Sequence, residues 1–192
     1  LSGLEWAVGV PGSVGGGVRM NAGGHGADIS ESLVEAQTLV LGQQQAAWRS
    51  NSELALRYRS SDIANNELVL QARFSLRRGD VSTGEQTLSE IVRWRRENQP
   101  GGQNSGSVFT NPPGDSAGRI IDECGLRGLR VKSAEVSCKH ANFIQASPQG
   151  SASDVASLIA EVQRRVYETR GVWLEPEVKM IGEFDLETHS DS

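Results

Sequence analysis

Aromatic residues and cysteine are scarce in this sequence: Phe, Trp and Tyr make up 5% of 192 residues, and there are two cysteines. Cys124 and Cys138 show no CxxC spacing and have no histidine at zinc-finger distance, so both are expected as buried, reduced thiols of a cytoplasmic protein. His25, His140 and His189 lack metal-ligand spacing and have no evident triad partner, which excludes a zinc site. No GxSxG surrounds Ser13 or Ser107, which argues against a hydrolase elbow. No apolar run approaches the roughly 20 residues that span a bilayer. The net charge is −5 and no lysine/arginine stripe stands out, so neither a nucleic-acid nor a membrane partner is expected. The basic cluster at residues 93–96 reads as a solvated helix face. No targeting segment is visible, but the sequence opens at Leu1 and enters glycine-rich sequence at once, so it is read as truncated.

What is present suits a soluble globular protein with a core: 37% hydrophobic and 22% charged residues. Its 22 glycines concentrate at residues 9–26 and 101–106, as if placed. The opening residues 1–8 read as a short helix or turn, and residues 33–41 as a strand. The stretch 69–76, VLQARFSL, alternates like a half-buried strand, with Val69, Gln71 and Arg73 opposite Leu70, Ala72 and Phe74. Ser82 to Glu85 matches a capping box and predicts a helix ending before Pro100. Asp115 or Ser116 is expected to cap a second, short helix that Gly125 stops. Val155, Leu158, Ile159, Val162 and Val166 recur on one helical face, which predicts a helix over 153–170. Strands are expected near 129–136, 141–146 and 172–183. The composition shift near residue 80 marks a domain boundary, and the second half reads as a small mixed α+β layer packing.

Five segments are rich in groups that can carry chemistry. The first runs PGSVGGGVRMNAG from Pro11 to Gly23. Residues Pro11, Gly12, Ser13, Val14, Gly15 and Gly16 form either an anion-holding nest of backbone N–H groups or a plain tight turn. Asn21 is either a hydrogen-bonding residue or a turn former. In the second, Tyr58-Arg59-Ser60-Ser61, Arg59 is either a carboxylate clamp or a surface arginine. In the third, residues 104–112, Ser107 is either presented on a rigid turn or bonds its own backbone. The fourth, Lys139-His140-Ala141-Asn142-Phe143, brings polar groups into a strand. The fifth is Leu174-Glu175-Pro176-Glu177-Val178, where one carboxylate faces a pocket or both lie on an exposed edge.

In this order the five segments resemble the UDP-N-acetylenolpyruvoylglucosamine reductase (MurB) family, and they span nearly the whole chain. The resemblance implies an α+β fold: the second lobe of a two-lobe FAD-binding domain over residues 1–80, a small mixed α+β substrate-binding domain over 81–183, and a polar tail over 184–192. It implies FAD and NADPH as cofactors, a UDP-sugar as substrate, and an N-terminal flavin lobe lying outside this sequence. The short span from Asp80 to Ser107 is similar to the subclass without a tyrosine-bearing loop.

By the same resemblance, Ser107 matches the family's proton donor, Arg59 its carboxylate-binding arginine and Glu177 the partner glutamate. Tyr58, Asn111 and His140 match substrate contacts. Pro11 to Gly16, with Arg19 and Asn21 nearby, match the loop that cradles the flavin pyrophosphate. The competing expectations are a fragment that binds the UDP-sugar without redox chemistry, and another flavoprotein oxidoreductase of the same flavin-domain type.

Overall fold

The computed structural model describes residues 1–184; of the expected polar tail, all but Phe184 lies outside the described residues, and His189 with it. The chain divides into two compact units, Leu1–Arg95 and Arg96–Ser192.

In the first unit a 3-10 turn, Glu5–Ala7, leads into helix α1 (Val14–Arg19) and a two-residue hairpin, β1 (Gly23–Gly24) with β2 (Ala27–Asp28). Strands β3 (Leu33–Val40), β4 (Ala47–Ser50) and β5 (Glu67–Phe74) form an antiparallel sheet in the order β4-β3-β5. Helix α2 (Asn51–Leu54) follows β4 directly because Ser50 and Glu53 form a reciprocal capping box. The core gathers Trp6, Val18, Ile29, Leu33, Ala36, Leu54 and Ile63.

Sequence alternation misassigns one end of β5. The pairing of β3 with β5 slips between Gln37 and Thr38, which stand opposite Gln71 and Val69. The bulge at Leu70 turns Val69 inward with Ala72 and Phe74 and leaves Leu70 exposed, because an extra residue reverses the facing of what precedes it.

Helix α3 (Val81–Asn98) carries the chain across the division between the units. Its start differs from the expected capping box. Asp80 is the capping side chain, accepting the Thr83 N–H at 2.8 Å and the Thr83 hydroxyl at 3.0 Å. The helix therefore begins before Ser82, since a carboxylate serves the first-turn donors at least as well as a hydroxyl.

The second unit packs helices α4 (Ala117–Glu123) and α5 (Ala152–Arg170) with an antiparallel sheet of β6 (Arg130–Val131), β7 (Ala134–Val136) and β8 (Ile144–Ala146). The helical stripe read from the sequence is the buried one: Leu158, Ile159, Val162 and Val166 join Phe109, Ile121, Val136 and Leu174 in one core. Each such side chain contributes about 1.5–3 kcal/mol on burial. Ser116 caps α4, and Gly171, at φ 66°, ends α5.

The expected strand over 172–183 does not form. Its backbone pairing is confined to residues 175–178, around the single bridge of Phe109 opposite Pro176. The thiols also depart from expectation: Cys124 is half-buried and Cys138 exposed. No helix among the described residues is long and apolar enough to cross a membrane.

Candidate active site

Ser107 begins a short extended segment that is held on both edges. On one edge Ser107 stands opposite Phe143, and the Val108 N–H donates to the Asn142 carbonyl at 2.9 Å. On the other, the Glu177 N–H donates to the Val108 carbonyl at 2.8 Å and the Thr110 N–H to the Glu175 carbonyl at 2.9 Å. Val108 and Phe109 are buried in the core, which anchors the segment from below. Ser107 therefore stands at a bridge at the start of a segment bonded on both edges.

The segment opens into a cleft of about 410 Å³ whose lining includes Ser107, Asn111, Arg119, Arg127, Lys139 and His140. Three residues singled out from sequence, Ser107, Asn111 and His140, thus share one cavity. Asn111 also accepts the Ala117 N–H at 3.0 Å, tying the cleft wall to the first turn of α4. Glu177 is brought alongside through its backbone bond to Val108.

Cations dominate the lining, but carboxylates flank them. Arg119 pairs with Asp115 and Glu123, and Arg127 with Asp122. Lys139 Nζ donates to the Arg96 carbonyl at 2.5 Å. His140 is held below the ordinary imidazole range, first by burial and then by the charge of Arg127. Its Nδ1 accepts the Asn142 N–H at 3.2 Å, and its ring meets Phe143 edge-on. A neutral ring with Nδ1 accepting carries its proton on Nε2. The cleft can thus offer hydroxyl, amide, imidazole and cationic donors to an anionic, oxygen-rich ligand.

The remaining candidates belong to the first unit. Tyr58 and Arg59 are the central residues of a tight turn closed by two backbone bonds between Arg57 and Ser60, at 2.9 and 3.1 Å. Arg59 has φ 53°, where a turn of this kind favours glycine. A bulky residue there is a strained choice, the kind that accompanies function. Its guanidinium donates to the Gly23 carbonyl at 2.9 Å and lies over the Tyr58 ring at 4.9 Å. Gly23 makes that approach possible, since a Cβ there would meet Asp28 at 2.6 Å and Arg59 at 3.2 Å.

The glycine-rich segment is a loop entering a helix. Ser13 caps α1 by accepting the Gly16 N–H at 3.1 Å. Pro11, Gly12, Ser13, Val14 and Gly16 are exposed, Val14 by 63%. The first N–H groups of the helix, those of Val14 and Gly15, have no acceptor within it. Gly15 lies against β5, where a Cβ would meet the Val69 carbonyl at 3.2 Å.

Arg19 and Asn21, which follow this loop, bond to the fold around it. Arg19 bonds the Ala64 carbonyl and Asn65 Oδ1, each at 2.6 Å. Asn21 is 2% exposed; its amide serves Asp28, the Arg57 carbonyl and the Ser30 N–H. Both hold the loop's shape, and Asn21 also steadies the Arg59 turn.

Known proteins match this arrangement. Residues 98–181 match the UDP-N-acetylenolpyruvoylglucosamine reductase C-terminal domain. UDP-N-acetylenolpyruvoylglucosamine reductases of Listeria welshimeri and Halalkalibacterium halodurans are 45% and 41% identical over 185 residues, covering 95% of this chain. The crystal structure of UDP-N-acetylenolpyruvylglucosamine reductase (MurB) from Thermus caldophilus matches 93% of this chain at 37% identity, with a TM-score of 0.81. The chain belongs to the MurB family. It spans 62% and 61% of those two relatives and 64% of the Thermus chain.

Within this MurB-family chain, sequence reading overlooked Asn142. It is buried, and its carboxamide accepts from the Phe109 N–H at 2.9 Å and donates to the Phe109 carbonyl at 2.8 Å. The available signal was an asparagine inside the otherwise apolar run from Ala141 to Ile144, because a buried amide must find partners.

Proposed function

We propose that this chain takes part in the FAD- and NADPH-dependent reduction of UDP-N-acetylglucosamine enolpyruvate to UDP-N-acetylmuramate, a step of peptidoglycan synthesis. The observation that carries the reading is the meeting of Ser107, Asn111 and His140 in one cleft of a MurB-family chain. FAD, when bound, supplies the hydride that originates from NADPH. The main-chain N–H groups of Gly12, Ser13, Val14 and Gly15, in the loop from Pro11 to Gly16, suit its pyrophosphate, with Arg19 and Asn21 nearby keeping that loop in shape.

Reduction of an enolpyruvyl ether drives negative charge into its carboxylate, and the protein must meet that charge. Arg59 serves this role, with its guanidinium steadied by Tyr58 and the Gly23 carbonyl. Glu177 is its partner in that task. The carbon beside the carboxylate must gain a proton, and the Ser107 hydroxyl gives it. Asn111 and His140 donate to the UDP-sugar, His140 through Nε2–H, and Tyr58 contributes a further substrate contact.

The test is NADPH oxidation by the chain supplied with FAD, with and without the enolpyruvyl UDP-sugar. Oxidation that depends on substrate and falls by about 10²–10⁴ in Ser107→Ala supports the assignment. Equal rates in the two proteins remove Ser107 from the chemistry. A chain that binds the UDP-sugar and never turns over is a binding fragment.

A further inference from the structure

The Ser107 segment is a strand whose partner runs out after one residue. Asn142 accepts the Val108 N–H with its main-chain carbonyl, but the chain then turns, with the Phe143 N–H donating back to the His140 carbonyl at 3.0 Å. The next rung, at Phe109, has no backbone to meet. The Asn142 carboxamide fills it, with Oδ1 on the Phe109 N–H and Nδ2 on the Phe109 carbonyl. A side-chain amide thus stands in for a peptide unit at 4% exposure, where each unmet group would cost about 1–3 kcal/mol.

The same residue reaches the cleft a second way. Its main-chain N–H is the donor that occupies His140 Nδ1 and leaves the proton on Nε2. One residue therefore fixes the register of the strand bearing Ser107 and the tautomer of the imidazole that shares its cleft.

We infer that Asn142 is a positioning residue, setting where the Ser107 hydroxyl stands and which nitrogen of His140 faces the ligand. The inference rests on the reading of Ser107 as proton donor.

The experiment compares the full chain with N142D and N142L by 15N NMR and by titration with the enolpyruvyl UDP-sugar. The carboxylate introduced by N142D would accept from the Phe109 N–H but face the Phe109 carbonyl without a proton. Burial raises the pKa of such a group, so lowering the pH from 8 towards 5 returns the missing donor. At pH 8 the Ser107, Val108 and Phe109 amide signals of N142D should move, and Phe109 amide exchange should quicken by about tenfold. Acidification should reverse both changes, restoring substrate affinity in N142D but not in N142L. A merely structural asparagine would lower thermal stability in both variants with no acid rescue of the Ser107 signal. Unmoved Ser107 and His140 signals in folded N142D overturn the inference. Full activity in Ser107→Ala would overturn the proton-donor reading instead, and leaves these signals as they are.

Discussion

Arg59 and Ser107 are positioned by opposite means. Arg59 sits at the tip of a two-residue turn, in a backbone conformation unfavourable to its own side chain, with its guanidinium on the Gly23 carbonyl and over the Tyr58 ring. Ser107 lies in an unstrained ladder, bonded along both edges and rooted in the larger core cluster through Val108 and Phe109. The first arrangement depends on neighbours with no bulk, Gly23 above all. The second depends on neighbours with much of it. Small additions should therefore damage the Arg59 region, and deletions the Ser107 region.

The largest expected effect is Phe109→Ala, which should destabilise the second unit by about 3–5 kcal/mol in urea unfolding followed by near-UV signals. Gly23→Ala should come next, at about 1–3 kcal/mol in the first unit, since its Cβ would sit 2.7 Å from the Ala27 carbonyl. Equal damage to both units from either substitution would break the comparison. A smaller change sharpens it: Arg59→Gly should be more stable than Arg59→Ala by about 1 kcal/mol, as glycine tolerates φ 53°. Both should lose affinity for the substrate.

The smallest effect is an acid one. Glu5 is held down to about 2, chiefly by the Ser2 hydroxyl and then by the Gly3 N–H. A carboxylate whose pKa is lower in the folded state stabilises it above the unfolded value of 4.5, and loses that contribution as pH falls towards 2. Glu5→Gln should flatten the pH dependence of first-unit unfolding in that window. Its solvent exposure keeps the effect small.

What could be read from the sequence follows the same division. The α5 stripe was legible because one helix face repeats every three to four residues. The motif order around Ser107, Arg59 and Glu177 was legible by resemblance. The Leu70 bulge was not, because a register slip depends on the partner strand. Asp80 was overlooked as a cap because Ser82 to Glu85 offered a complete local pattern two residues later. The Asn142 rung exists only once distant segments meet, and the turn at Arg59 holds no glycine, asparagine or proline to announce it. The bonds that Arg19 and Asn21 make to Ala64, Asn65, Asp28 and Arg57 were not legible either, because their partners are set by the fold.

The most direct test is NMR titration of the labelled chain with UDP-N-acetylglucosamine enolpyruvate. The signals of Ser107, Asn111 and His140 should shift in a saturable way, while those of Lys132 and Ser133, in the β6–β7 turn, stay in place. Shifts centred on that turn, or none anywhere, would contradict the assignment of the cleft.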